Sequence, residues 1–157
     1  MKSKTHLRQT LSGLILITAP LLALSEAAPT TEPVGYVKTV TGEAWVTTAG
    51  QRVNAQPGTP VLLGSQLNTQ KTASMGVTFR DNTIMSFGPD TELTVDEFLY
   101  APAQDQLSLS ARLLKGSMNY ISGVIARLKP EAVSVKTPAG IIGVRGTQFV
   151  ARVEVAQ

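Results

Sequence analysis

From Gly35 onward, apolar and polar residues alternate in short runs, and the runs are separated by Gly, Pro, Asn or Asp. A period of two places alternate side chains on one face of an extended chain, so each run predicts a half-buried β-strand. Gly35 to Val40 is the first, Thr41-Gly42 turns, Glu43 to Thr48 follows, and Ala49-Gly50-Gln51 turns again. Further strands are predicted at Val61 to Leu63, Gln66 to Thr69, Ser74 to Phe79, Thr83 to Phe87, Glu92 to Val95, Leu107 to Leu113, Val133 to Thr137 and Gln148 to Val155. Runs of roughly four to eight residues spaced by turn signals predict an all-β domain with many short strands. The compatible architectures are a compact β-roll or sandwich, or a short β-solenoid, although no period is regular enough to define a repeat array.

One stretch breaks the alternation. In Ser122 to Leu128, Val124, Ile125 and Leu128 fall on one helical face, Ser122 is an N-cap type, and Pro130 stops continuation, so a short helix is expected near residues 122–129. Residues 101–106 (APAQDQ) are expected to form a polar surface loop.

The beginning of the chain has a different pattern. Lys2, Lys4 and Arg8 precede an uncharged apolar run from Leu11 to Leu24, shorter than the roughly 20 residues a spanning helix needs. Ser25-Glu26-Ala27 then supplies small residues at both outer positions of a cleavage site. Residues 1–27 are therefore expected to be a signal peptide cleaved after Ala27, leaving no stable membrane anchor and delivering the chain to the periplasm or outside the cell. Residues 28–34 are expected to be a disordered lead-in, and residues 35–157 one β-domain. Losing Lys2, Lys4, Arg8 and Glu26 lowers the net charge from +3 to +1. The remaining basic residues are scattered from Lys38 to Arg152, which argues against nucleic acid as a partner. With no cysteine, the exported domain has no disulfide and depends on its core.

Catalytic chemistry finds little to use. The single histidine, His6, lies in the leader, so the mature chain has neither an imidazole base nor a thiol nucleophile. Asp81, Asp90, Glu92, Asp96 and Glu97 form the densest acidic group, but Arg80-Asp81-Asn82-Thr83 and Gly88-Pro89-Asp90-Thr91 are turn contexts, where Asp bonds to nearby backbone. The spacing of a calcium loop is missing, so neither metal nor cofactor is expected. Gly140, Gly143 and Gly146 recur at a spacing of three, yet a phosphate cradle needs a following helix, and Thr147 to Val153 alternates like a strand. A structural corner is the better reading. Aromatic residues are 5% of the chain; Trp45, Tyr36, Tyr100 and Tyr120 are the candidate platforms for stacking a sugar.

Two stretches carry a resemblance. Phe79 to Leu93 (FRDNTIMSFGPDTEL) resembles the F-x-D-G-S/T-x-L-x-L-x-P-x-S/T-x-L segment of FecR domains, and Val133 to Pro138 followed by Ile142 to Phe149 (IGVRGTQF) resembles their closing T-P and I-G-I/V-R-G-T-x-F segments. Gly35 to Val46 and Pro60 to Gln70 are similar to the opening of the same domain, so the likeness runs in order over about residues 35–155. Asn82 stands where the pattern has a turn glycine, and Asn tolerates positive φ. The resemblance implies an all-β periplasmic module with Asp81, Asn82, Thr137, Pro138, Gly143, Arg145, Gly146 and Thr147 as motif residues. In the iron-transport regulators such domains belong to transmembrane anti-sigma factors that relay a signal from an outer-membrane receptor. The expectation for this chain is a non-catalytic module, not an enzyme, that binds another envelope protein or polymer as a sensor or accessory in signal transduction. A glycan- or peptidoglycan-binding module is the alternative. Arg145 and Trp45 are the candidate partner-binding residues, with Arg145 more readily expected to anchor neighbouring loops through its fan of donors.

Overall fold

The computed structural model describes residues 32–154. The expected leader, its cleavage site, residues 28–31 and the end of the last strand lie outside those residues. Twelve strands form: β1 (Gly35–Thr41), β2 (Ala44–Thr48), β3 (Gln51–Asn54), β4 (Pro60–Val61), β5 (Gln66–Thr69), β6 (Ser74–Phe79), β7 (Ile84–Phe87), β8 (Glu92–Ala101), β9 (Gln106–Ile121), β10 (Val133–Thr137), β11 (Gly140–Gly143) and β12 (Gln148–Val153). Among the described residues the one α-helix, α1, spans Val124–Leu128, and short 3-10 turns occupy Pro102–Gln104 and Pro130–Ala132.

The strands join in the order β3-β2-β5-β8-β9-β7-β6-β1-β4, with β10 and β12 also lying along β9 and β11 outside β10. All ladders are antiparallel except that between β9 and β10. A solenoid would pair successive coils in parallel; the observed sheet is antiparallel but for one ladder, sets non-consecutive strands side by side, and curls over one core as a β-roll.

Strand β9 belongs to both halves of the roll. Its first half pairs with β8 on one side and β10 on the other, and its last residues pair with β7 and β12. Leu109, Ala111 and Leu113 face the core before the middle of the strand, whereas Met118 and Tyr120 face it afterwards. This change from odd to even positions requires one extra residue, and the β8–β9 register does shift between Glu92 and Leu93. Gly116, at φ 86°, allows the bend.

The core is aliphatic. Val37 of β1, Val46 of β2, Leu67 of β5, Val77 of β6, Met85 of β7 and Leu93 of β8 are all buried, each on the alternating face that its strand turns inward. Such alternation is what made these strands visible in the sequence.

Several expectations are corrected. Residues 32–34 are docked, not disordered: Val34 donates to the Val61 carbonyl and accepts from Arg80 N–H, and Glu32 pairs with Arg80. Strands β8 and β9 run on to Ala101 and Gln106, which shortens the expected loop to a tight 3-10 turn. Strand β3 was not anticipated because all four of its residues are exposed, so no alternation marks it. Gly123, not Ser122, is the N-cap residue of α1, and no side chain in that position bonds the helix.

Gly116 provides a stability test. A Cβ there would overlap Thr91 and lie within 2.8 Å of the Asp90 carbonyl, whereas one at Gly50, also at positive φ, meets nothing. Gly50→Ala should cost about 1 kcal/mol of left-handed strain, and Gly116→Ala more than about 3 kcal/mol from strain with overpacking. Urea denaturation of the two variants checks this; equal losses would refute the close approach.

Candidate functional site

Asp81 stands at the centre of the first motif. It follows β6 in a tight turn in which Asn82 takes φ 65°, as its tolerance for positive φ predicts. The Asp81 side chain is buried, yet its oxygens are well supplied with donors. Oδ1 accepts from Thr83 N–H (3.0 Å), and Oδ2 accepts from the Thr83 hydroxyl (2.7 Å) and Ile125 N–H (3.2 Å). The Asp81 carbonyl accepts from Val124 N–H (2.7 Å), and Thr83 Oγ1 accepts from Gly123 N–H (3.2 Å). Three consecutive amides at the start of α1 are therefore satisfied by a turn some forty residues earlier, in place of the missing local cap. Gly123 is required for this approach: a Cβ would come within 2.6 Å of the Asp81 carboxylate.

The second motif attaches to the same place. Ser122 N–H donates to the Thr147 carbonyl (2.8 Å), and the Ser122 hydroxyl donates to the Gly146 carbonyl (2.6 Å). Residues 122–125 thus tie the Asp81 turn on one side to the Arg145 loop on the other. Thr137, Pro138 and Gly143 lie in the β10–β11 hairpin, whose turn is closed by the Thr137 hydroxyl donating to the Gly140 carbonyl (2.9 Å). Val144 is buried, and Arg145, Gly146 and Thr147 are exposed in the loop leading to β12.

Arg145 does not anchor the fold as expected. Among the described residues its guanidinium makes no hydrogen bond or ion pair; it lines a cleft of about 300 Å³ with Pro130, Glu131 and Gly146. The segments around the loop carry unusually exposed aliphatic side chains: Ile141 on β11 and Val150 on β12 are each 71% exposed, and Leu128 ends α1 at 60%. An unpaired guanidinium beside aliphatic surface is suited to a carboxylate on a polypeptide.

Trp45 lies at a separate cleft of about 230 Å³, with Glu43, Arg52 and Asn54 in its walls. The Arg52 guanidinium sits 3.7 Å over the indole ring, a cation–π contact that covers the surface a sugar would stack on. Tyr120 is buried and stacks on Phe149 at 5.0 Å, so it is not a platform either. Most of the acidic residues are similarly occupied: Lys115 pairs with Asp90, Arg112 and Lys136 share Asp96, and Gln66 donates to Glu92, while Glu97 is exposed on β8.

The model of the FecR protein family matches residues 65–157, from the approach to β5 to the end of the chain. The chain belongs to the FecR family. No curated protein and no solved structure matches it. Both motif turns of the FecR domain fall inside the match, and β1 and β2, which precede it, are joined to it by pairing with β6 and β5. FecR domains are regulator domains of signal transduction.

A second corner of this FecR domain was not legible in advance. The Thr91 hydroxyl is buried where β7 passes into β8; it donates to the Gly88 carbonyl (2.9 Å) and accepts from Ser117 N–H (3.0 Å). Thr69 Oγ1 donates to the same carbonyl (2.7 Å) and accepts from Thr91 N–H (2.9 Å). Threonines at strand ends are common, and only the three-dimensional crossing gives these two their role.

The Tyr120 hydroxyl is buried without a hydrogen bond. Burial raises its pKa above the ordinary value of 10.0, and the Asp81 charge adds to the rise; Thr83 and Ser122 lie near enough to oppose it but not in bonding geometry. A raised folded-state pKa gives stability that is full below about pH 10 and lost as pH rises through the folded value. Tyr120→Phe should therefore be within about 0.5 kcal/mol of wild type at pH 7 and lose less stability above pH 10. Asp81→Ala, which orphans several buried donors, should cost about 2–4 kcal/mol. Denaturant titrations across pH check both.

Proposed function

We propose that this FecR-family protein is a non-catalytic periplasmic binding module in signal transduction, and that it engages another envelope protein through the Arg145 loop. The observation that carries this reading is Arg145, without a hydrogen bond or ion pair among the described residues, in an open cleft, on a loop that is fixed at Gly146 and Thr147 by Ser122. A fixed loop with a free charge is preorganised for a partner. The basic start and apolar run of the first 27 residues support export. The lack of His and Cys beyond that point, and the engagement of the carboxylates in turns and ion pairs, support a role without catalysis. A protein partner is preferred to a glycan because Arg52 already covers Trp45.

Arg145→Ala should leave the unfolding free energy within about 0.5 kcal/mol of wild type, as expected for an exposed side chain, while abolishing the partner adduct formed by a photo-crosslinker placed at Thr147 in intact cells. Retention of the adduct, or recovery of the protein in the cytoplasm with residues 1–27 attached, would overturn the reading. Co-sedimentation with purified peptidoglycan that Trp45→Ala abolishes would favour the glycan alternative instead.

A further inference from the structure

Among the described residues, strands β3, β4, β11 and β12 each pair with one neighbour only, so each presents a sheet edge. Exposed edges invite pairing with another chain, and folded proteins block them with charge, proline or brevity. Strand β4 is two residues long and begins with Pro60, β3 carries Arg52, and β12 carries Arg152. Strand β11 reads Gly-Ile-Ile-Gly and has no such protection.

The register shows what this edge offers. Ile142 pairs with Val135 and Gly143 with Ser134, and just beyond them Val144 N–H donates to the Val133 carbonyl. Backbone groups of an antiparallel strand point alternately toward and away from the partner strand. With Val144 bonded inward, Ile142 and Gly140 also bond inward, and Ile141 and Gly143 direct their N–H and C=O outward. The charge nearby is positive by one. Asp96 is shared between Arg112 and Lys136, whose side chains share the face of Ile141, and Arg145, which has no ion pair among the described residues, follows the strand with Glu131 across its cleft.

We propose that β11 is a strand-addition site: an extended acidic segment of a partner protein pairs with Ile141 and Gly143 and places a carboxylate on Arg145. This rests on, and deepens, the reading of the Arg145 loop as the partner site. Outward backbone groups select an extended chain, the surplus cation selects an acidic one, and Ile141 offers an aliphatic side chain to pack against. A second copy of this chain is a poorer occupant. Its own β11 has no acidic residue, and a four-residue edge falls far short of the roughly 800 Å² per partner of a stable interface.

The probe is a capped peptide of alternating threonine and valine carrying one aspartate near its end, added to the mature protein and followed by amide hydrogen exchange. The peptide should slow exchange at Ile141 and Gly143 by about tenfold or more, and its asparagine counterpart should bind about tenfold more weakly. A peptide N-methylated at alternate positions should give no protection. Ile141→Pro removes an outward N–H without touching the β10 ladder and should abolish the effect; if circular dichroism shows that it does not fold, Ile141→Glu, which removes the aliphatic side chain and sets a like charge against the acidic segment, takes its place. Absence of protection on β11, or equal protection by the N-methylated peptide, overturns strand addition. If the cellular adduct needs Arg145 but survives Ile141→Pro, the strand-addition site is wrong and the partner loop stands. If the adduct is indifferent to Arg145→Ala, the functional reading itself falls.

Discussion

The bend of β9 at Gly116 is the constraint on which the rest of the roll depends. A sixteen-residue strand that remained straight would serve one sheet only. By inserting a bulge and turning at positive φ, β9 gives its first half to β8 and β10 and its second to β7 and β12, so the curled sheet closes over one core. Thr91 lies against Gly116 and satisfies the backbone groups that the bend leaves without ladder partners. The neighbouring Thr69 ties β5 to the same point. The two hydroxyls perform at the corner what water performs at an exposed turn.

The Asp81 turn extends this logic to the surface. Its carboxylate accepts the Ile125 amide of α1 and its carbonyl the Val124 amide, α1 is preceded by Ser122, and Ser122 donates to the carbonyls of Gly146 and Thr147. The two motifs, separate in the chain, thus become a single hydrogen-bonded line in space, with Arg145 at its outer end. The inner residues of that line contribute to stability, and the outermost side chain, Arg145, faces an open cleft.

What could be read from the sequence follows from which residues have a reason to alternate. Strands with one buried face, such as Ser74–Phe79, announced themselves by period two. Strand β3, exposed throughout, and β11, two isoleucines between glycines, follow no such period and were not anticipated. The helix was located by its apolar spacing, but its capping was not, because Asp81 is distant in the chain. The turn role of Asp81 was legible, as was the positive φ at Asn82; the burial of that carboxylate against α1 was not. For Arg145, its fan of donors suggested anchoring, and only the side chain's surroundings show it without a bonding partner among the described residues. Trp45 was legible as an aromatic, while the guanidinium lying over it was not, since Arg52 reaches it across a strand pair.

The dependence of α1 on Asp81 also bears on the order in which the domain assembles. A five-residue helix has no stability of its own, because nucleation outweighs the one or two bonds it can form. Its amides find acceptors only once the β6–β7 hairpin exists to present Asp81 and Thr83, which closes a loop of about forty residues whose entropy grows slowly with length. The segment beyond α1 inherits that delay, since the loop ahead of β12 is pinned by Ser122. The Arg145 loop therefore depends on the Asp81 turn for its fixed geometry, whereas β10 is committed to the core through Val133 and Val135 and to β9 by its own ladder.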